Sequence, residues 1–257
     1  MDLLTLIGYT SPKNLWLLVF VYARFLSAMM ICPIFTNTYI SATLRNCLAL
    51  LFAVIIFPWF KHLEISNNII TNIMLTICNA LYGSLIGYLL SLPLWLIEAT
   101  GSIIDMQRGE QIGALINNQT RNVSSSVGKL LSKTFMTYLI VNNGIIFFIN
   151  TVFNSFTLAP PNSLFPIIND FYMKTYMHLI NEYCLWVIIF ALPVITILFM
   201  VDFSISMISA LIPQLNATVF SMPIKALVAI LVLIFYYELL MHQIFNKFII
   251  QINYIFS

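Results

Sequence analysis

The chain has 257 residues, of which 61% are hydrophobic and 8% are charged, and its mean hydropathy is +0.96. Soluble globular domains carry about 25% charged residues, so this composition excludes a soluble domain. The formal net charge is +2 and the basic residues are scattered. No basic stripe of the kind that binds nucleic acid is present, so we predict no nucleic-acid partner.

Long charge-free runs cover much of the chain, at 25–44, 46–60, 65–97, 134–169, 183–201 and 203–224. A helix crosses the hydrocarbon core of a bilayer with about 20 apolar residues. Backbone polar groups in lipid must be satisfied within the structure, and the short alternating segments of a barrel are not seen. The runs therefore predict an all-α, multi-span membrane protein with bent and broken helices.

In chain order, the first half predicts a helix over about 14–35 that ends near Pro33, a second helix over about 47–60, and a polar turn at 62–68. The apolar stretch 69–97 is too long for one simple span, and Gly83, Gly87 and Pro93 are candidate bends. Asn142-Asn143-Gly144 interrupts the next apolar region, 134–153, and predicts two short helices there.

The second half begins with a loop over 154–170, which is rich in proline and polar residues. A helix follows over 171–212, with a break or bend near Pro193, and Pro213 stops it. The last span covers 223–241 and leads into a short amphipathic tail. No internal repeat or linker divides the chain, so residues 1–257 are predicted to form a single membrane domain.

Polar residues are concentrated in one mid-chain segment, 98–133. Seven of the 20 charged residues lie there, and a Gly-, Asn- and Ser-rich run follows Gly109. A membrane protein that keeps its polarity in one segment is expected to use that segment for its function.

Several charged residues within apolar surroundings need partners, because charges in spans are costly and face protein or water. Arg24 lies in the middle of the first apolar run, where it would make a structural ion pair, snorkel from a helix end or line an aqueous path. Glu98 and Asp105 would share a face of a continuous helix, and Asp105 and Arg108 are spaced to pair.

Asp202 is the most isolated charge, and Ser206 and Ser209 continue a polar stripe from it along the same helix face. The stripe is explained equally well by helix–helix contact and by an aqueous conduit. Lys225 and Glu238 lie near one face of the last span, and either could contact Asp202 or Arg24.

Catalytic and cofactor signals are missing from the sequence. The four cysteines stand singly, which is typical of packing residues, and the three histidines have no carboxylate or cysteine partners at ligand spacing. No P-loop, G-x-G-x-x-G, H-E-x-x-H or G-x-S-x-G motif occurs. We therefore predict no enzyme activity, no metal and no cofactor.

Three ordered motifs nevertheless resemble one family, the FliR/SctT (SpaR-type) proteins of the type III secretion export apparatus. The central motif is Leu92-Pro93-Leu94-Trp95 followed by Gly101 to Gly109. The N-terminal pattern of the family resembles Arg24, Pro33, Phe35 and Arg45-Asn46 of this chain. Its C-terminal pattern resembles Asp202, 213–216 and 221–225. The resemblance covers nearly the whole chain and is closer to the virulence branch than to the flagellar branch.

The chain departs from the family pattern at Ala210, Ser206, Glu110 and Ala226. Relatives often carry an arginine at the position of Ala210, which follows Asp202 by eight residues on the same predicted helix. Asp202 is therefore expected to have a different partner here, either Lys225 or a residue of another subunit.

The resemblance implies a multi-pass subunit of the export gate in the bacterial inner membrane, within the base of the secretion system. Its implied partners are SctR-type and SctS-type subunits, an SctU-type switch protein, rod or needle subunits, and secreted unfolded proteins. The residues implied in intramembrane polar contacts or assembly are Arg24, Glu98, Asp105, Asp202, Ser206, Gln214, Asn216 and Lys225.

The resemblance implies that the loop after the Gln-Arg-Gly motif plugs the pore of the export channel. On this chain the plug corresponds to about 106–122, and its proposed residues are Met106, Gln107, Arg108, Gly109, Glu110, Gln111, Gly113, Asn117 and Asn118. The resulting hypothesis is a plug that closes the channel at rest, and deletion of 110–120 is expected to raise ion leakage across the membrane.

Two other classes of function compete with this interpretation. A secondary transporter would also carry intramembrane charges and broken helices, but it would show an inverted repeat and work as a single protein. A membrane enzyme would need paired catalytic groups, and only Glu98 and Asp105 come close.

Overall fold

The computed structural model describes residues 12–36, 38–60, 62–63, 65–66, 68–109, 125–163, 170–211 and 217–256. Seven α-helices occupy most of these residues: α1 (Pro12–Ile31), α2 (Ala42–Phe60), α3 (Ile69–Arg108), α4 (Ser126–Val141), α5 (Gly144–Leu158), α6 (Asp170–Leu211) and α7 (Ala217–Phe256). A 3-10 turn, Pro33–Phe35, follows α1. No strand occurs in these ranges.

The predicted all-α, multi-span class is confirmed. Five helices in the described part of the chain (α1, α2, α3, α6 and α7) are long and apolar enough to cross a membrane, and α4 with α5 would make a sixth if that broken pair is one span. The chain is a multi-pass membrane protein.

The contacts of the chain fall into two compact units. The first contains Met1–Leu92, Asn143–Tyr176 and Ile252–Ser257, and the second contains Pro93–Asn142 and Met177–Gln251. Helix α3 passes from one unit to the other at Leu92–Pro93.

In the first unit, α3 lies very close to α1. A Cβ atom on Gly87 would come within 2.5 Å of the backbone oxygen of Ala28, and one on Gly83 would overlap the backbone oxygen of Arg24 and the hydroxyl of Ser27. The two glycines, which sequence reasoning considered as bends, therefore permit close helix packing. An apolar cluster of Leu17, Phe20, Phe57, Ile65 and Leu75 fills the space among α1, α2 and α3.

In the second unit, the last turns of α3 pack on α4, α6 and α7. Gly101 and Gly128 face each other at the crossing of α3 and α4, where a Cβ on Gly101 would overlap the Gly128 backbone. Ile104 of α3 packs with Val194, Leu198 and Ala229, and all four side chains are buried.

The predicted interruption at Asn142-Asn143-Gly144 is confirmed. Asn142 is the C-cap of α4, and Asn143 adopts the left-handed conformation with φ of 61°. Asparagine tolerates this conformation better than most residues, so the helix ends here and α5 begins at the next residue.

Two helices extend beyond the apolar runs seen in the sequence: α3 continues past residue 97 to Arg108, and α7 runs from Ala217 through Pro223 to Phe256. Of the break or bend predicted near Pro193, the break is absent, because α6 continues through that residue. A proline removes one backbone donor, which a long transmembrane helix tolerates when its other hydrogen bonds remain. The charged residues in the last turn of α3, Asp105 and Arg108, are accommodated because they pair with each other.

Candidate functional site at the root of the 110–124 segment

Helix α3 ends in the middle of the polar segment, at a glycine. Gly109 has φ of 82°, and its amide donates to the carbonyl oxygen of Met106 at 3.1 Å. A left-handed glycine just after the last helical residue is a common helix terminator. The chain therefore leaves the helix at a defined position, immediately before residues 110–124.

Asp105, one turn before this end, is the centre of a buried polar cluster. Its side chain is 2% exposed. Its carboxylate accepts hydrogen bonds from the Ser125 hydroxyl at 2.5 Å and from the Val127 amide at 2.9 Å. The guanidinium of Arg108 lies 2.7 Å from the other carboxylate oxygen, so the pairing predicted from the i, i+3 spacing is present.

The same contacts begin helix α4. Ser125 is its N-cap, and the Ser125 hydroxyl accepts from the Gly128 amide at 2.8 Å. Asp105 adds a negative charge beside the amide end of the helix, where the helix dipole stabilises an anion. Arg108 also reaches the Ser126 hydroxyl at 3.5 Å. One carboxylate thus binds groups on both sides of the 110–124 segment.

A second charged pair, formed by Lys225 and Asp202, also contacts the end of α3. The ammonium group of Lys225 in α7 lies 3.0 and 3.2 Å from the two carboxylate oxygens of Asp202 in α6. It also donates to the backbone oxygen of Gln107 at 3.0 Å. Of the two partners that the sequence left open for Asp202, the structure shows Lys225.

Arg24 forms a separate polar cluster in the first unit. Its side chain is fully buried. One guanidinium nitrogen donates to the backbone oxygens of Ala159 and Ser155 at 3.0 and 3.2 Å, and the other donates to Asn79 Oδ1 at 2.6 Å. The ring of Phe156 lies 4.1 Å below the charge. No salt bridge is formed between Arg24 and an acid among the residues described.

This arrangement is a helix C-cap made by a distant side chain. Ala159 is the C-cap residue of α5, and Ser155 lies in its last turn. The last four carbonyl groups of a helix lack partners within the helix, and the dipole favours a cation there. Arg24 therefore supplies a donor to the Ala159 oxygen at the end of α5 and a second donor to the Ser155 oxygen, which also accepts from the Ala159 amide.

The remaining predicted residues lie in different surroundings. Glu98 is exposed, in contrast to Asp105, although both belong to α3. Ser206 is exposed, and its hydroxyl donates to the backbone oxygen of Asp202 at 2.8 Å. Met106 is 58% exposed. The following predicted residues lie outside the described ranges: Glu110, Gln111, Gly113, Asn117, Asn118, Gln214 and Asn216.

Sequence reasoning missed several residues that complete these clusters. Ser125 carried a usable signal, because a serine before an apolar run is a typical N-cap. Asn79 and Ser155 carried none, since only the folded chain brings them beside Arg24. Asn79 is itself held by donating to the backbone oxygens of Leu75 and Pro161, both at 2.9 Å.

These features define a class: a multi-pass membrane protein in which one buried carboxylate, Asp105, binds groups on both sides of the 110–124 segment. Comparison with known proteins identifies the family. The model of the family described as "Bacterial export proteins, family 1" matches residues 15–249. The chain belongs to this family, and the resemblance inferred from its motifs is confirmed.

Individual relatives include proteins named for translocation, for a secretion system apparatus and for flagellar biosynthesis. The chain is 27% identical over 215 residues to Yop proteins translocation protein T of Yersinia pestis, which covers 83% of this chain and 82% of that protein. It is 24% identical over 238 residues to the secretion system apparatus protein SsaT of Salmonella typhimurium, with 90% and 91% covered. It is 26% identical to the flagellar biosynthetic protein FliR of Bacillus subtilis, with 93% and 92% covered.

The family assigns the chain to protein export. The match gives no support to the alternative of a secondary transporter. In the described part of the chain, no group of three His, Cys, Asp or Glu side chains is placed to hold a metal ion.

Proposed function

We propose that this chain is a subunit of a type III secretion export gate in the bacterial inner membrane, where it forms and closes the entrance of the channel for virulence substrates. The observation that carries the proposal is the anchoring of the 110–124 segment. Asp105 binds Arg108 on one side of the segment and Ser125 on the other.

The anchoring suits a closure element for a physical reason. A segment that blocks a channel must stay in place at rest and move when substrate arrives. Buried, charge-assisted hydrogen bonds at its two ends supply a fixed base. Glycines and polar residues between the ends, at positions such as Gly113 and Asn117, give the sequence conformational freedom and solubility in a wet lumen.

The proposed partners are SctR-type and SctS-type subunits, with an SctU-type switch protein at the entrance and rod or needle subunits beyond. Exposed apolar surface supports partner contacts in addition to lipid. Only 22% of the residues in the spanning parts of α6 and α7 are buried within this chain. Exposed hydroxyl groups of Ser204 and Ser206 interrupt that surface on α6, and such groups commonly mark helix–helix contacts in membranes.

The test is a deletion of residues 110–120 in cells that carry the complete secretion system. We expect a higher leak of small ions across the inner membrane, with the chain still co-purifying with its export-apparatus partners. A matched variant replaces the same residues by a Gly/Ser sequence of equal length, which separates loop length from side-chain identity. An assembled apparatus that leaks no more than wild type after the deletion would refute the proposal.

A further inference from the structure

A small apolar groove opens on the surface of the first unit, between α2 and α5. Phe52, Ile55 and Trp59 of α2 line one side, and Asn150 and Phe153 of α5 line the other. The rings of Trp59 and Phe153 meet edge to face, with centroids 5.1 Å apart. Ile55 and Trp59 are 67% and 70% exposed, so much of this apolar surface is uncovered in the described part of the chain.

The polar side chain in this groove, Asn150, has an amide without a partner. Asn150 is exposed, and so is Asn154, which lies one turn later on the same face of α5. The opposite face of α5 is buried and carries residues such as Val152 and Phe156. Neither asparagine side chain makes a hydrogen bond to another residue that the structure describes. The exposed face of α5 therefore presents two amides, each of which can both donate and accept hydrogen bonds.

The chemistry of the groove selects its occupant. Helix α2 is apolar and long enough to cross a membrane, and 28% of its residues are buried within this chain. A lipid chain would cover the apolar wall but would leave the Asn150 amide without a partner, which is costly in hydrocarbon. A membrane helix can satisfy both, because its apolar side chains fill the groove while an amide or hydroxyl side chain bonds across the contact.

The size of the groove agrees with such a contact. Its volume is about 340 Å³, whereas an α-helix with its side chains is about 10–12 Å wide. The groove can therefore receive side chains, and the helix that carries them would lie across the opening. Tryptophan and phenylalanine walls of this kind are enriched in the cores of protein–protein interfaces.

We propose that the groove between α2 and α5 docks an apolar membrane helix of another subunit, which packs on Ile55 and Trp59 and presents an Asn, Gln, Ser or Thr side chain to Asn150. The proposal shares with the function proposed above only the assumption that the chain assembles with other membrane proteins. It does not depend on closure of a channel.

Asn150→Leu distinguishes the possible occupants by the direction of its effect. Leucine is close to asparagine in size but cannot form a hydrogen bond. A docked helix should bind more weakly to this variant, because its polar side chain loses its partner. A lipid chain should bind equally well or better, since the groove becomes wholly apolar. If water alone covers Asn150, the occupancy of the groove should not change.

The experiment places the photo-reactive residue p-benzoylphenylalanine at position 55 of the full chain, in cells that carry the complete secretion system. We expect a cross-link to an apolar helix of another subunit, with an amide or hydroxyl side chain within one turn of the cross-linked residue. Asn150→Leu should lower the yield of this cross-link by about three- to tenfold, the effect of one hydrogen bond between membrane helices. Replacing the partner's polar side chain by an apolar one should lower it similarly, and the two changes together should add little.

The matched control places the same photo-reactive residue at Ile77, which is 56% exposed on α3 and outside the groove. Asn150→Leu should leave the cross-links from position 77 unchanged. The unfolding midpoint of the purified chain in detergent should also be unchanged, because Asn150 is exposed. Asn154→Leu is a second variant with the same expected direction, and it decides the outcome if Asn150→Leu alters the midpoint.

Several results would overturn the docking proposal. These are cross-links from position 55 only to lipid, to a second copy of the chain or to other parts of the same chain, and a cross-link yield that is unchanged or higher in Asn150→Leu.

Docking in the groove and the proposed function can fail separately. If the chain co-purifies with export-apparatus subunits and position 55 captures none of them, docking is refuted and assembly stands. If no such subunit co-purifies, the proposed function is refuted, while a captured helix whose yield depends on Asn150 would still support docking.

Discussion

Arg24 provides a direct test of how this chain stabilises a buried charge. Replacing it by methionine keeps most of the side-chain length but removes the donors that bind Asn79, Ser155 and Ala159. Each buried acceptor left without a partner costs about 1–3 kcal/mol. The Ser155 oxygen keeps the Ala159 amide as a donor, so the losses are those of the Asn79 and Ala159 oxygens and of the contact with the Phe156 ring. Together they give an expected loss of about 3–5 kcal/mol for Arg24→Met.

Arg24→Lys tests the geometry of the contact at constant charge. The guanidinium binds the end of α5 with one nitrogen and Asn79 with the other, whereas lysine has a single nitrogen and cannot serve both sides. It also lacks the flat face that lies 4.1 Å from the centre of the Phe156 ring. We expect Arg24→Lys to lose about 2–4 kcal/mol, between wild type and the methionine variant.

The assay is the unfolding midpoint of the purified full chain in detergent, followed by tryptophan fluorescence against temperature or denaturant. Lys129→Met is the matched control, since Lys129 is an exposed cation on α4, and its removal should change stability by less than about 0.5 kcal/mol. If Arg24→Met were as stable as wild type, the desolvation cost of the charge would equal the sum of its contacts, and a net stabilisation of the fold by Arg24 would be refuted.

Three further predictions concern packing, the anchor and thiol accessibility. Gly87→Val should lower stability by about 1–3 kcal/mol in the same assay, because its Cβ would overlap the backbone of Ala28 and force α1 away; an unchanged midpoint would contradict the close crossing. Asp105→Ala should lower stability by about 3–5 kcal/mol, since it removes three contacts from a buried cluster. Proteolysis within 110–124 should also become faster. If the carboxylate were not an anchor, neither change would be seen. Burial raises the pKa of the Cys32 thiol to about 11, so at pH 8 it should stay protonated and resist maleimide in the folded chain; equal labelling of folded and unfolded protein would contradict this placement.

The sequence predicted the fold class and most helices well, because hydropathy is a local property. Charge-free runs of the required length are visible without any tertiary information. The break at Asn142-Asn143-Gly144 was also visible, since turn chemistry is encoded in neighbouring residues. The predicted end of α6 near 212 followed from Pro213 and agrees with the structure, which ends α6 at Leu211. The apolar stretch 69–97 did not show that α3 continues to Arg108.

The end of α3 could not be predicted because it depends on contacts between distant residues. Asp105 and Lys225 make the polar last turn of α3 compatible with burial, and all of their partners except Arg108 lie 20 or more positions away. Short spacing did predict the Asp105–Arg108 pair, whereas Lys225 was only one of the candidates for Asp202. The Arg24 cluster was beyond prediction, since backbone oxygens and an amide, and no acid, receive its charge.

The buried charges share one physical rule, which explains why they occur together with broken helices. Arg24 binds the carbonyl end of α5, and Lys225 binds the carbonyl end of α3. Arg45 donates to the oxygen of Phe35, the last residue of the 3-10 turn, and Asp105 accepts from the amide end of α4. In each case the sign of the charge opposes the sign of the helix end. A helix that ends within a membrane protein leaves backbone groups that water cannot reach, and a charge placed there leaves its own hydration behind. The buried charge therefore gives the helix end a hydrogen-bond partner, and the helix end gives the charge the polar contacts that water would otherwise provide. Removing one of these charges should speed hydrogen exchange of the backbone amides at its helix end, even where the charge has no acidic or basic partner.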